Sequence, residues 1–332
     1  TQVIPPFTLN EYRGWQFERR IPEVTEAQVE QALENVRVRN AILQTVDGRP
    51  ARAHDVVVID YTGVLDERPI PGFTGSKVAV EIGSEQFLPE IEHGLIGMLP
   101  GETQTIVVHF PEDFRNTNLA GKIGQCQVMV AEIKEKHLPA LDDEFARGVY
   151  EDVDSLEALR VKLRQELERA ARDRADAVVQ REILARLVAE HPLDVPDILW
   201  HEEMRRAYLQ QQRQETGRQP TEADYQVPIE HLRDAFGAFA LESTRGQLIL
   251  RHIANEAELA VEAPEVEAEI ASLAARTAQN PDALKRAMER NGTLRAVEAN
   301  LLETKVFAHL MADMQISDSI ASEDAVVPQG SS

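Results

Sequence analysis

Cysteine, aromatic residues and long apolar runs are all scarce in this sequence. Cys126 is the only cysteine among 332 residues, so the chain can form no intramolecular disulfide and no cysteine-rich metal cluster. Aromatic residues make up 5% of the chain, which predicts a modest core. No apolar run approaches the roughly 20 residues that a membrane-spanning helix needs, and we recognise no signal peptide. A single cysteine also fits a reducing compartment.

Positive charge is scarce as well. Lysine and arginine number 35 against 57 aspartates and glutamates, which gives a formal net charge of −22. A surface of this sign repels phosphate backbones and anionic lipids, so we expect neither nucleic acid nor a membrane as a direct partner. The sequence has no glycine-rich phosphate loop, and nucleotide dependence is therefore not expected.

The residues that could suggest acid–base or metal chemistry have plainer explanations. The histidines are scattered, and His201, His252 and His309 fall on separate predicted helices, so we expect solvated or core-edge histidines rather than metal ligands. The acidic pairs and triplets are typical of solvated faces and helix caps; they are Glu202-Glu203 and Asp142-Asp143-Glu144. Cys126 lies in an alternating run and is expected to be a small buried residue.

The most informative stretch is residues 83–102. Its apolar side chains recur at the spacing of one helical face; they are Phe87, Leu88, Ile91 and Leu95. Glycine and proline at 97, 100 and 101 end this short helix, and 104–110 follows as an alternating, β-branched strand. A short helix between two strands, with its apolar face inward, can close the open side of a curved sheet.

The flanking segments agree with a curved sheet. Residues 55–63 predict a strong strand that contains Tyr61, and 126–133 predict a closing strand. Between them, 110–114 and 116–122 supply a loop that overhangs the sheet. Over residues 46–136 this pattern resembles the FKBP-type prolyl isomerase domain, whose pocket has one short helix as its floor. The alternative is an ordinary β-rich domain.

The resemblance implies five pocket residues. Tyr61 stands at the aromatic position of the first strand, and Phe114 at that of the overhanging loop. Phe87 and Leu88 are the apolar pair that begins the short helix, and Ile91 is the floor residue. Prolyl isomerisation needs no nucleophile, metal or cofactor, because an apolar pocket favours the twisted amide over the more zwitterionic planar one.

Several positions depart from the family pattern. Ile91 replaces the usual Trp or Phe of the floor, and Glu90 replaces the glycine before it. Aliphatic or thiol side chains stand where aromatic rings are common, at Ile70, Val78 and Cys126, and Pro71 stands where many active members have an aspartate. These changes keep the pocket apolar but predict a shallower, less aromatic site with weak catalysis.

The rest of the chain predicts helices. Residues 1–22 predict an arm or strand that docks on a larger part of the protein, because aromatic and aliphatic residues recur mostly every two or three positions from Phe7 onward. A helix with a Thr25–Gln28 capping box then runs to about Gln44. After Pro139, helices are predicted at 154–191, from Pro196 to about Gly217, and at 228–258, 264–277, 281–290 and 293–314. Residues 317–332 have no core pattern and predict a disordered, acidic tail.

The predicted fold class is α+β multidomain: an elongated all-α body with an inserted FKBP-like domain of sheet and short helix. The expected domains are 1–45 (arm and first helix of the body), 46–136 (isomerase head), 137–316 (helical body with arms) and 317–332 (tail). This order, over residues 1 to about 314, resembles the trigger factor family of bacterial chaperones.

The resemblance implies a chaperone for nascent and unfolded polypeptides, acting in the cytoplasm in protein folding and export, with an isomerase domain and no cofactor. Ribosome binding is implied through an N-terminal domain with a Gly-Phe-Arg-x-Gly-Lys loop. That loop does not occur here, and the sequence starts at Thr1 without methionine, so we expect this domain to be missing. The alternative function is a stand-alone prolyl isomerase whose helical body is only a scaffold or dimerisation element.

Overall fold

The chain forms two compact units. The computed structural model describes residues 8–65, 68–112, 114 and 119–321. One unit, here called the sheet unit, is Val24–Leu167; the other, called the helical unit, is Thr1–Glu23 with Glu168–Ser332. The start of the predicted arm, including Phe7, lies outside the described residues.

The secondary structure confirms the α+β class. In chain order the elements are β1 (Gln16–Pro22), α1 (Glu26–Arg39), β2 (Ile42–Thr45), β3 (Val56–Leu65), β4 (Arg68–Glu81), α2 (Pro89–Leu95), β5 (Thr103–His109), β6 (Ile123–His137), α3 (Asp143–Val149), α4 (Leu156–Glu190), α5 (Asp197–Thr216), α6 (Glu222–Tyr225), α7 (Ile229–Glu256), α8 (Ala263–Arg276), α9 (Pro281–Asn291), α10 (Leu294–Ala312) and β7 (Gln315–Ala321).

The sheet unit is built around an antiparallel sheet in the order β2-β6-β3-β4, with β5 also paired to β6. Burial along β6 alternates from residue to residue over its first half, because successive side chains of a strand point to opposite faces. The inward face of the sheet and the apolar face of α2 share one core. This core contains Val57, Ile59, Val80, Ile91, Leu95, Ile106, Val108, Cys126, Val128, Val130 and Ile133.

The short helix α2 lies where the sequence predicted it. Pro89 is at its first position, where the missing N–H costs no helical hydrogen bond. Ile91 and Leu95, one turn apart, are both fully buried in the core of the sheet. The helix therefore covers the inner face of the sheet, as the FKBP resemblance implied.

Helix α1 has the predicted capping box but ends earlier than predicted. Thr25 accepts a hydrogen bond from the Gln28 N–H, and the Gln28 side chain accepts one from the Thr25 N–H. The helix stops at Arg39, and 42–45 form β2, which pairs with the end of β6. The prediction of a helix to about Gln44 is therefore wrong, because pairing with a distant strand outweighs the local helical pattern.

A second small core of the sheet unit joins α1 to the helices that follow the sheet. Leu33 of α1 packs with Phe145 of α3 and with Leu159 and Leu163 of α4. The helix before the sheet therefore shares a core with the helices that follow the sheet. Helix α3 itself was not predicted; its N-cap is Asp142, whose side chain accepts a hydrogen bond from the Phe145 N–H.

The helical unit has its own core, formed by the second half of α4 with α7, α10 and residues of the arm. Its buried members include Trp15, Val179, Ile183, Leu187, Ile249, Ile253, Val306, Phe307 and Leu310. The predicted helices are confirmed with shifts of a few residues at their ends, and Gly217 ends α5 in the left-handed conformation. Within the described residues, no helix is long and apolar enough to cross a membrane.

The predicted disordered tail is wrong for its first residues. Strand β7 pairs in parallel with β1 over the whole length of both. Arg19 fixes this ribbon by donating to Asp318 at 2.7 Å and to Asp176 of α4 at 2.6 Å. The partner strand lies about 300 residues earlier in the chain, and no local pattern could reveal it. Residues 322–332 of the predicted tail lie outside the described residues.

A buried ion pair fixes the segment that enters β3. Asp55 is 4% exposed, and both of its oxygens are bound by the guanidinium of Arg49, at 2.6 and 3.0 Å. The Arg52 N–H adds a third hydrogen bond at 2.9 Å. The hydrogen bonds from Arg49 are the main reason that the pKa of Asp55 lies below its usual value.

We predict that Arg49→Ala destabilises the sheet by about 3 kcal/mol, because it leaves a buried carboxylate without its counter-ion. The lower stability should appear as faster amide hydrogen exchange of β3 and β6 in urea. Arg52→Ala is the control, since only the backbone of Arg52 contacts Asp55. The fluorescence of Trp15 and Trp200, both in the helical unit, should report unchanged unfolding there. Equal effects of the two substitutions would refute this assignment.

The same pair gives a pH dependence. Because the folded-state pKa of Asp55 is lowered, its contribution to stability is complete above the unfolded pKa of about 4. It is lost as the pH falls through the folded-state pKa. The difference in stability between the parent chain and Arg49→Ala should therefore shrink on acidification. A difference that is constant from pH 7 to pH 3 would contradict the ion pair as its cause.

Candidate functional site

Five aromatic rings form a continuous cluster on the sheet unit. The ring of Tyr61 lies 5.3 Å from that of Phe87 and 5.4 Å from that of Phe73, centroid to centroid. Phe73 lies 5.5 Å from Phe110, and Phe110 lies 4.9 Å from Phe114. The contacts are edge-on or tilted, which is the favourable arrangement for aromatic quadrupoles.

Four different segments supply these rings. Tyr61 lies on β3, Phe73 on β4, and Phe87 in the connection that leads into α2. Phe110 directly follows β5, and its N–H donates to the carbonyl of Lys122 at 3.0 Å. Phe114 is held in the next turn, where its N–H donates to the Pro111 carbonyl at 3.1 Å. The cluster therefore depends on the folded sheet and not on any one local segment.

Two glycines make room for the rings. A Cβ at Gly63 would stand 2.1 Å from Cδ1 of Phe73, and a Cβ at Gly75 would stand 2.5 Å from Cε1 of Tyr61. Both distances are far below a van der Waals contact. Each ring therefore lies over the backbone of a neighbouring strand, at a position where only glycine fits without displacing it.

The structure brings the predicted site residues together, but at different depths. Tyr61, Phe87, Leu88 and Phe114 are half-buried at the surface. Ile91, the predicted floor, is fully buried within the core of the sheet. It supports Phe87 and Leu88 from beneath and has no surface of its own to offer a ligand.

Sequence reasoning missed Phe73 and Phe110. Phe73 is half-buried and contacts both Tyr61 and Phe110, so it joins the two halves of the cluster. Of the positions where we expected departures from the family pattern, Ile70 is buried beside Phe110, and Val78 packs half-buried against the core. The Pro71 side chain lies outside the described part of the structure.

The cluster is apolar and uncharged. Burial raises the pKa of the Tyr61 phenol, and the described residues offer its hydroxyl no hydrogen bond. Burial also raises the pKa of the Cys126 thiol to about 11, so the thiol is protonated at neutral pH. A carboxylate oxygen of Glu90 lies 3.2 Å from Nδ1 of His109.

An open groove of about 670 Å³ adjoins the cluster at Tyr61. Its walls combine polar and apolar surface in similar amounts. They belong to Asp60, Thr62, Thr74, Gly75, Ser76, Thr103, Gln127 and Met129. Within the described residues, no group of histidine, cysteine and acidic side chains could hold a metal ion.

Two family descriptions match the chain, one for each part. Residues 47–134 match the FKBP-type peptidyl-prolyl cis-trans isomerase family, and residues 155–312 match the bacterial trigger factor protein C-terminus. The trigger factor of Limosilactobacillus reuteri (strain DSM 20016) is 33% identical over 87% of this chain and 67% of its own length. The trigger factor of Desulforudis audaxviator (strain MP104C) is 31% identical over 97% of this chain and 74% of its own length.

The chain belongs to the trigger factor family. It is a molecular chaperone that carries an FKBP-type peptidyl-prolyl isomerase domain. The fold agrees with that of a solved structure, whose description is "Promiscuous Substrate Recognition in Folding and Assembly Activities of the Trigger Factor Chaperone". That likeness has a TM-score of 0.50 and 20% identity, and it covers 88% of this chain and 70% of the other. The match over residues 155–312 does not favour the alternative of a stand-alone isomerase.

We predict that Phe73→Leu lowers isomerase activity on a proline tetrapeptide by about tenfold, equivalent to roughly 1.4 kcal/mol of transition-state stabilisation. Leucine keeps apolar volume but loses both ring–ring contacts. Phe239→Leu is the matched control, because Phe239 is an exposed phenylalanine of α7 in the helical unit. Equal activity of the two variants would show that Phe73 has no part in the site.

Proposed function

We propose that the five-ring cluster is the surface on which the isomerase domain binds and twists a prolyl peptide. The observation that carries the proposal is an unbroken chain of ring contacts. It joins the half-buried rings of Tyr61, Phe87, Phe73 and Phe114, with the buried ring of Phe110 as the link between the last two. A proline ring packs against such a surface because both are apolar. Most aromatic surface elsewhere on a protein is buried and cannot be offered to a ligand.

The chemistry requires no proton transfer in this proposal. Rotation about the prolyl bond removes amide resonance, which is the source of its barrier of about 18–20 kcal/mol. The twisted amide carries less charge separation than the planar one, so an apolar surface destabilises the bound ground state more than the transition state. The protonated Cys126 thiol and the neutral Tyr61 phenol add no charge to this environment.

Weak catalysis stays a prediction. It rests on the aliphatic residues Ile70, Val78 and Ile91 at positions where the family commonly has rings. Phe73 and Phe110 work against it, since they add two rings that were not anticipated. We therefore expect activity below that of members with an aromatic floor, but well above that of a variant without the cluster.

We further propose that unfolded polypeptide clients bind to the helical unit. Helices α5 and α7 border a groove of about 470 Å³ with apolar and charged walls, lined by Ile198, His201, Glu202, Arg205, Arg206, Leu209 and Ile229. Ile198 is 58% exposed, and Phe239 on α7 is 60% exposed. Exposed apolar side chains in such surroundings suit weak contacts with many different sequences, from which clients can be released.

The remaining partners follow from the family alone. We propose a cytoplasmic chaperone with the ribosome as a partner, docked through the family loop that these 332 residues do not contain. The boundaries of an independently folding head at 46–136 stay a prediction. Strand β2 pairs with β6 from Ile42 onward, so a fragment that begins at residue 42 should fold more stably than one that begins at 51.

Client binding predicts that Ile198→Asp weakens the suppression of aggregation. The variant of the full chain should require about a threefold higher concentration than the parent chain to suppress the aggregation of a denatured protein. The reason is that part of the free energy of burying one isoleucine side chain is lost. Ile320→Asp is the control, since Ile320 is 79% exposed on β7 and does not line the groove. Both variants should keep full isomerase activity.

The outcome separates the two function classes. If aggregation is suppressed equally by both variants and the parent chain, the α5–α7 groove is not a client site. If Phe73→Leu, which alters the five-ring cluster, abolishes both the suppression of aggregation and the isomerase activity, the sheet unit is the main client site. The helical unit would then act as a scaffold.

A further inference from the structure

A buried carboxylate organises the connection between β4 and α2. Glu92 follows the buried Ile91 on α2 and is 3% exposed. One oxygen accepts the N–H of Gly83 at 2.8 Å and that of Glu85 at 3.2 Å. The other oxygen accepts the N–H of Phe87 at 2.9 Å, with the Ser84 hydroxyl at 3.5 Å. The 83–87 loop therefore wraps around a single side chain.

The loop is not in a relaxed conformation. Gly83 has φ of 90°, and Glu85 has φ of 56°, which places a residue with a Cβ in the left-handed region. Such a conformation is uncommon outside glycine and persists where surrounding contacts enforce it. Here the enforcing contact is the carboxylate, because it binds the N–H of both residues.

The ionised carboxylate matches this loop better than any neutral group. Every partner of Glu92 is a donor, and an ionised carboxylate only accepts. Burial acts to raise the pKa of Glu92, but the hydrogen bonds from Phe87, Gly83 and Glu85 together hold it below its ordinary value. The group is therefore charged at neutral pH. An amide of the same length would turn an NH₂ group toward one set of these donors.

We propose that Glu92 is a positioning residue of the isomerase site, which holds the Phe87 ring against Tyr61 through the 83–87 loop. The backbone N–H of Phe87 is one of its three backbone ligands, and the Phe87 ring lies 5.3 Å from the Tyr61 ring. Glu92 does not touch the pocket surface. The proposal rests on the proposed role of the ring cluster in catalysis.

The test uses the full chain and a double-mutant cycle. Glu92→Gln should lower kcat/KM on a proline tetrapeptide by about tenfold, and Phe87→Ala should do the same. If Glu92 acts through Phe87, the double variant should lose little more than either single one. Losses that multiply would mean that the two residues act independently, and would overturn the proposal.

A matched control lies two residues away. Glu90→Gln makes the same chemical change on the same helix, but Glu90 is bonded to His109 and not to the loop. Because Glu90 lies next to the predicted floor residue Ile91, this control is read by amide exchange in the loop and not by kcat/KM. Amide hydrogen exchange at Gly83, Glu85 and Phe87 should accelerate in Glu92→Gln and not in Glu90→Gln. Unchanged exchange in Glu92→Gln would also overturn the proposal.

A further variant covers the case in which Glu92→Gln fails to fold. Glu92→Asp keeps the charge but is shorter by one methylene, so it should lose some loop contacts and show a smaller loss of kcat/KM. Full activity in Glu92→Asp together with fast exchange in the loop would refute the link between loop and catalysis.

If Phe87→Ala is fully active, the ring cluster itself is not the site. If Phe87→Ala is impaired and Glu92→Gln is not, only the positioning role fails.

Discussion

Strand β6 is the element on which the sheet unit depends. It pairs with β3 along most of its length, with β5 over its first half, and with β2 at its end. Its inward residues, Cys126, Val128, Val130 and Ile133, are all fully buried in the core that α2 covers. A change that breaks the alternation of buried and exposed side chains along β6 would therefore disturb its pairing with three strands and the packing of α2 on the sheet.

The ring cluster is a consequence of this packing. Tyr61 and Phe73 come from the paired strands β3 and β4, and they can lie over neighbouring backbone only because Gly63 and Gly75 have no Cβ. The backbone N–H of Phe87 donates to the buried carboxylate of Glu92. The same constraints that pack the core thus leave an apolar aromatic surface partly exposed.

Sequence patterns were sufficient where the determining interactions are local. The spacing of Ile91 and Leu95 predicted α2, the Thr25–Gln28 box predicted the start of α1, and the proline-bounded helices were placed within a few residues. They were insufficient for β2 and β7, whose existence depends on strands about 90 and 300 residues away. Phe73 was missed because β3 and β4 pair with two register shifts, so counting alternate residues does not show which side chains face inward.

The most direct test of the account is to observe the rings during binding. Of the ten phenylalanines, Phe73, Phe87, Phe110 and Phe114 belong to the cluster. NMR of ring-labelled phenylalanine, titrated with a proline tetrapeptide, should shift the resonances of the half-buried Phe73, Phe87 and Phe114. Phe145 lies in the second, smaller core of the sheet unit, and Phe307 lies in the core of the helical unit. The resonances of both should stay in place. Shifts confined to rings outside the cluster would contradict the assignment of the isomerase site.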